Sequence, residues 1–318
     1  MGASGLGSRA IIGTFYETLA QSVGASWLPR LAMEFNSDQE SETYRWLGQS
    51  PAMREWVGGR QPKALRENGI TIINKTFEST LNISVDDLRR DKTGQIRLRI
   101  QELADRVAAH PMSLISTLIN NGGAATNGLA YDGQYFFDTD HADGSSGTLI
   151  NDLAAGDYAV LNVTTAADPT AAEMAAAIMA IIGHFYSYKD DTGEPMNELA
   201  RAFVVMVPVN MWGAAQAAVS SNLLNQGGAA IDNPLLKMGL SLDVVANARM
   251  TSSTKFCVFR TDGRAKPFIL QNEEAVSMSS IAEGSEHEFK NNEHLYGVKA
   301  IRNVGYGLYQ HAIRATLS

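Results

Sequence analysis

The run Ile72-Ile73-Asn74-Lys75-Thr76-Phe77-Glu78-Ser79-Thr80-Leu81-Asn82-Ile83-Ser84-Val85 decides how this chain is read. From Ile73 onward its odd positions are mostly apolar (Ile73, Phe77, Leu81, Ile83, Val85), and its even positions from Asn74 are polar. That alternation has the period of a β-strand. At ~3.3 Å per residue the run would extend roughly 45 Å, whereas ordinary strands stop at ~10 residues. A strand this long is expected to project beyond the body of its own subunit and to lay its apolar face on a neighbour.

Downstream, the pattern changes to a helical one. Asp86 and Asp87 are N-cap candidates, and a second start follows Gly94. Ile96, Ile100, Leu103 and Val107 form one apolar stripe at spacings of four, three and four. Pro111 kinks or restarts the helix, and Asn120-Asn121-Gly122-Gly123 ends it. Gly94–Asn121 would be ~40 Å of spine helix at 1.5 Å per residue. Gly128–Asn151 reads as loop and short strand. Asp168-Pro169 opens an Ala-rich helix to about Tyr188. Arg201–Pro208 reads as a buried strand, and Asn210 as the cap of a helix over Met211–Leu224. Short strands follow at Leu242–Ala246, Thr254–Arg260 and Lys266–Leu270. The tail, Tyr296 to Thr316, reads as two strands broken at Asn303–Gly305.

Upstream, residues 1–41 contain one short amphipathic piece, Ile11 to Val23, and read as an arm. Residues 43–69 mix Tyr44, Trp46, Met53, Trp56 and Val57 with Arg45, Arg54, Glu55, Arg60, Lys63, Arg66 and Glu67. Such a mixture suits a segment that a partner covers.

Composition limits the function. The chain has 318 residues, 45% hydrophobic and 19% charged, with a formal net charge of -8. That is ample material for a packed core and suggests about two domains. A phosphate-gripping nucleic-acid binder needs a basic footprint, and no block of Lys or Arg stands out. No run reaches the ~18–20 apolar residues of a membrane helix. The first residues lack a basic region followed by an apolar core, so no signal peptide is expected. Cys257, the single cysteine, fits folding in a reducing cytoplasm and reads as a small strand hydrophobe.

The most enzyme-like string is Asp138-Thr139-Asp140-His141, since Asp and His can ligate a metal or pair as acid and base. An Asx-type turn after an aromatic strand explains it better. Gly305-Tyr306-Gly307 lacks the third glycine of a dinucleotide loop, and no phosphate-loop sequence is present. Neither catalytic residues nor a cofactor are expected.

Three stretches carry a family resemblance: Ser41 to Arg60, Gly69 to Glu78, and Tyr131-Asp132-Gly133-Gln134-Tyr135-Phe136-Phe137-Asp138-Thr139-Asp140-His141. They resemble the Mu-like phage major head subunit. The layout matches from about residue 10 to the C-terminus, though from 145 to 290 in layout more than in words. The resemblance implies an α+β chain with the Hong Kong 97-type capsid fold. Residues 1–41 would be the N-terminal arm and 42–85 an extended β-hairpin loop. Residues 86–200 would form the first part of a peripheral domain with the spine helix, 201–284 an axial domain, and 285–318 the closing peripheral strands.

The implied function is a major capsid protein that assembles as hexamers and pentamers into an icosahedral shell around double-stranded DNA. Portal and scaffolding proteins would be partners, the virion its location, and the host cytoplasm its place of assembly. The expected intersubunit contacts are Tyr44, Arg45, Trp46, Arg54, Trp56, Arg60, Ile73, Phe77 and Leu81, with the arginines pairing carboxylates across the seam. An encapsulin-like compartment and a metal-dependent hydrolase using Asp138, Asp140 and His141 are the alternatives.

Overall fold

The computed structural model describes residues 7–23, 26–45, 69–91 and 94–318. Helix α1 (Ser8–Val23) leads through the single turn α2 (Leu28–Leu31) into strand β1 (Ala32–Asn36). Strands β2 (Ser41–Tyr44) and β3 (Ile70–Ile73) form an antiparallel hairpin, with Ser41 opposite Ile73 and Tyr44 opposite Ile70. The long strand read from the sequence breaks at Asn74, and its second part is β4 (Lys75–Ser84). The short helix α3 (Val85–Arg90) follows. Its cap is Ser84, whose hydroxyl accepts from Asp86 N, and not either of the two aspartates proposed from the sequence.

The spine helix α4 (Gln95–Asn121) runs through Pro111 without interruption. Asp91 accepts from the free amides of Gln95 and Ile96 at its start. Three two-residue strands follow: β5 (His141–Ala142), β6 (Thr148–Leu149) and β7 (Asp152–Leu153). Helix α5 (Ala171–Ser187) is capped by Thr170 and Glu173 in a reciprocal capping box, two residues later than the expected Asp168. Strand β8 (Ala202–Val207) leads to α6 (Trp212–Ser220). Asn210 does not cap α6; its amide donates to the carbonyls of Ala167 and Ser253. A small hairpin of β9 (Leu223–Gln226) and β10 (Ala229–Asp232) precedes β11 (Ser241–Ala246) and β12 (Lys255–Arg260).

The remaining strands are β13 (Phe268–Ile281) and β14 (Glu293–Tyr306), joined by helix α7 (Glu286–Asn291), and finally β15 (Ala312–Thr316). The expected break at Asn303–Gly305 is absent: β14 runs through it, and the chain turns only after Tyr306. Glycine is required there for another reason. A Cβ on Gly305 would lie 2.4 Å from Cδ1 of Ile72, so its bareness lets the hairpin approach β14.

Two sheets organise the chain. The first has order β1-β13-β14-β4, antiparallel apart from the β1–β13 pair. The second has order β11-β8-β12-β15-β7, so the two tail strands divide between the sheets. The main core lies among the second sheet, α5, α6 and the end of α4, around Phe185, Val205, Phe256, Tyr306 and Ile313. A second core forms where α1 and α4 cover the first sheet, with Ile11, Phe15, Ile83, Ile96, Ile100, Tyr296 and Val298 buried together.

This second core corrects the expectation for the long strand. Part of its apolar face is covered within the chain, where Leu81 and Ile83 pack against the α4 stripe, while Ile73 stays exposed. The strand does not project freely, since β14 pairs with it from Arg302↔Lys75 to Glu293↔Ser84. Helix α1 also closes the exposed stretch of β13, where the Tyr16 hydroxyl accepts from Met278 N at 2.9 Å. A sheet edge left bare would invite pairing with another chain.

Candidate functional site

The β2–β3 hairpin sits on a small apolar patch. Tyr44, Ile72 and Ile269 are buried together, with Met33, Phe35 and Ile70 around them. The Phe35 and Tyr44 rings lie 5.2 Å apart. Alternation along each strand turns Tyr44 and Ile72 inward and leaves Thr43, Thr71 and Ile73 outside. The Thr43 and Thr71 hydroxyls meet at 2.9 Å on that outer face.

Beneath the patch, a chain of polar side chains fixes the direction of the hairpin. Gln271 is completely buried. Its carbonyl oxygen accepts the Tyr44 hydroxyl at 2.8 Å. Its amide donates to Ile72 O at 3.2 Å and to Asn74 Oδ1 at 2.8 Å. The Asn74 amide passes on to Gln39 O at 2.8 Å and Ser37 Oγ at 3.3 Å, and the Ser37 hydroxyl reaches Glu42 at 3.0 Å. From β14, the Asn303 amide holds Ile73 O at 2.7 Å. Burial pushes the Tyr44 hydroxyl up to about 12, with the Glu42 charge adding to the effect, so it stays protonated and keeps donating. A buried network satisfied at every member selects one geometry. Asn74 and Gln271 escaped sequence reasoning, the first as one more polar position of a long strand and the second as the polar end of an apolar run.

A groove of about 930 Å³ runs between the hairpin, the end of α4, residues 126–133 and residues 303–306. Arg45 and Lys75 stand along it, and Ile73 and Leu129 are exposed on its rim.

The residues expected to bridge subunits separate into three groups. Trp46, Arg54, Trp56 and Arg60 lie outside the described residues. Arg45 and Ile73 are exposed, Ile73 at 57%. Tyr44 is turned into its own subunit, as described above. Phe77 and Leu81 are half-buried against α4, the Phe77 ring meeting His110 edge-on at 4.3 Å. The last three are therefore held by their own chain, because the spine helix and β1–β13 already cover the face the sequence left bare.

The Asp138-Thr139-Asp140-His141 string scatters. Asp138 accepts from the amides of Tyr135 and Thr139 in a local turn. His141 is buried, its Nδ1 lies 2.6 Å from Asp132, and its ring stacks on Tyr309 at 3.8 Å. Asp140 is exposed. Among the described residues, no group of three His, Cys, Asp or Glu side chains is placed to hold a metal ion. Cys257 is fully buried.

Comparison with known proteins agrees with this anatomy. Two curated relatives match about a third of the chain each: the major capsid protein of Escherichia phage Mu, 41% identical over 112 residues, and the Mu-like prophage FluMu major head subunit of Haemophilus influenzae, 36% identical over 119. The matched stretches span 36% and 37% of those relatives' lengths. Among solved structures, the procapsid of bacteriophage JBD30 superposes with a TM-score of 0.54 at 24% identity, covering 98% of this chain and 75% of that one. This shared fold is one of mixed helix and sheet. The Mu-like prophage major head subunit gpT family matches residues 9–169 and 230–317, well over half of the sequence. The chain belongs to that family.

Proposed function

We propose that this chain is a major capsid protein whose copies assemble into the icosahedral shell of a Mu-like phage or prophage, as hexamers and pentamers around double-stranded DNA. The observation that carries the reading is the family match at both ends of the chain, joined to a β2–β3 hairpin whose base is pinned to the subunit by a buried polar network. A building block gains from a hairpin base held in one geometry, because binding a neighbour then costs less ordering entropy.

In the Hong Kong 97-type arrangement, residues 1–41 are the arm and 42–85 the extended loop. Residues 86–200 are peripheral, 201–284 axial, and 285–318 the closing strands, with β15 entering the axial sheet. Tyr44, Phe77 and Leu81 orient the loop from within. Arg45, Trp46, Arg54, Trp56, Arg60 and Ile73 meet the adjacent copy. The negative balance of the chain suits a wall that encloses DNA without gripping it. Portal and scaffolding proteins complete the head, which is assembled in the host cytoplasm and becomes part of the virion. The protein acts by assembly and has no catalytic role.

The test is to express the chain alone, measure native mass by light scattering, and image heavy species by electron microscopy. Closed shells, tubes or capsomers are the expected result. A monomer that retains a stoichiometric metal after dialysis refutes the reading. The double variant Trp46→Ala, Ile73→Ala should lower shell yield; wild-type yield refutes the loop-docking part alone.

A further inference from the structure

Between β4, β14 and α4 lies a second, smaller pocket that the hairpin does not use. Its volume is about 160 Å³, and Phe77, Leu103, Val107 and Val298 are among its apolar walls. Its polar lining includes Arg302 from β14 and His110 from α4, with Glu78, Ser79 and Arg106 also present.

Arg302 is 8% exposed, and among the described residues no carboxylate lies within ion-pair distance of it. Glu34 acts on it only from further away, its carboxylate receiving the Asn272 amide at 2.6 Å. The guanidinium Nη2 reaches Val107 O at 3.5 Å. That carbonyl is available because its helical donor would be residue 111, and Pro111 has no N–H. Nε of Arg302 and Nδ1 of His110 are both buried with no hydrogen-bond partner. Burial, with Arg302 and Arg249 nearby, lowers the proton affinity of His110, so its ring is neutral at neutral pH. Arg106 stands at the rim. Glu78 is there too, but its carboxylate is turned along β4 to the Thr80 hydroxyl at 3.0 Å.

A desolvated cation with an unsatisfied donor is costly unless an anion completes it. A carboxylate is the fitting group, since its two oxygens accept from a guanidinium in a fixed geometry. The size limits the ligand. A cavity near 150 Å³ accommodates a benzene-sized group, whereas drug-sized ligands occupy ~300–1,000 Å³. One carboxylate-tipped side chain fits.

We propose that this pocket receives a carboxylate side chain from a second copy of the chain, held by Arg302 with His110 beside it. This rests on the shell reading above. Charge complementarity favours a second copy, because the chain carries 34 acidic against 26 basic residues and offers a surplus of carboxylates. Position favours it as well: β4 is the outermost strand of its sheet, so the pocket lies beside an edge that no described strand covers.

The experiment uses the full chain with Arg302→Met, which keeps length and removes charge, and Arg302→Lys, which keeps charge and loses the planar fork. Two quantities are read: the critical concentration for assembly, and the melting temperature of unassembled subunits titrated with isovalerate, a branched carboxylate of suitable size. Arg302→Met should melt at or above wild type yet raise the critical concentration about tenfold or more, with Arg302→Lys between. Isovalerate should stabilise wild-type subunits saturably, leave Arg302→Met unchanged, and raise the wild-type critical concentration. Assembly of Arg302→Met at the wild-type concentration overturns the proposal. So does equal stabilisation of both proteins by isovalerate. Should Arg302→Met fail to fold, a wild-type critical concentration for Arg302→Lys that isovalerate leaves unmoved refutes it equally. Arg302-dependent isovalerate binding by a wild-type chain that never assembles makes a small anion the occupant and removes the second copy. That result overturns this proposal alone, and so do the others; the shell reading falls only to the metal-retaining monomer described above.

Discussion

Replacing Gln271 by leucine should loosen the base of the hairpin without disturbing the rest of the subunit. Leucine is no smaller than glutamine, so no cavity term arises. Three hydrogen bonds disappear: from the Tyr44 hydroxyl, to Ile72 O and to Asn74 Oδ1. Tyr44 is 7% exposed and regains no water, so its orphaned hydroxyl costs about 1–3 kcal/mol. The Ile72 carbonyl loses one bond, about 1 kcal/mol net. Asn74 is half-exposed and rehydrates, at a cost near zero. The total is about 3 kcal/mol, or roughly a hundredfold in an opening constant. If the hairpin base opens as a local unit, hydrogen–deuterium exchange of the unassembled subunit should accelerate by about that factor in peptides covering 37–45 and 69–75. Exchange in α4 and in the five-stranded sheet should stay as in wild type. Unchanged exchange at the hairpin base refutes the claim that Gln271 pins it. Equal acceleration in α4 refutes the claim that the base opens independently.

Two further outcomes follow from groups with shifted titration. Partial burial pushes the Glu173 carboxyl up, but hydrogen bonds from Thr170 and Thr164 more than offset this and hold it at about 2, against an ordinary value of 4.5. Its stabilisation is therefore fully present above pH 4.5 and is lost as pH falls through about 2. Glu173→Ala should cost about 1 kcal/mol in urea unfolding at pH 7, and the difference from wild type should shrink near pH 2; a pH-independent difference contradicts the capping account. Burial likewise pushes the Cys257 thiol up to about 12. Iodoacetamide at pH 8 should leave Cys257 unmodified in the native protein and label it in denaturant, as mass spectrometry would record; labelling of the native protein would show that the strand is not closed over it.

Local signals in the sequence are legible where they are complete in themselves. The two-residue period of β4 and the stripe of α4 are both present. Their relation was not legible: nothing in residues 72–85 says that the stripe at Ile96, Ile100 and Leu103 covers the strand. Nor does it say that β14, more than two hundred residues later, pairs with it. The start of α5 is legible, because Thr170-Ala171-Ala172-Glu173 is a capping-box sequence in its own right. Gly305 was read as a breaker because a glycine in a strand suggests an interruption; its reason is the side chain of Ile72, which is remote in sequence. Of the loop contacts, hydrophobicity alone could not tell Tyr44, which points inward, from Ile73, which points out. The side of a strand that faces its own body depends on the partner strand, not on residue type.

The strand order also sets a timetable. β1 waits for β13, β4 for β14, and β7 for β15. In each pair the first member leaves the ribosome well ahead of its partner; for β4 the interval is about 220 residues. At ~5–20 residues per second that is a delay of roughly 10–40 s, during which the early strands stay unpaired and liable to chance association. The same delay acts as quality control on the supply of parts. A chain broken off before β14 lacks both the strand that joins β13 to β4 and the strand that joins β12 to β7, so neither sheet is completed and no truncated copy presents a finished surface.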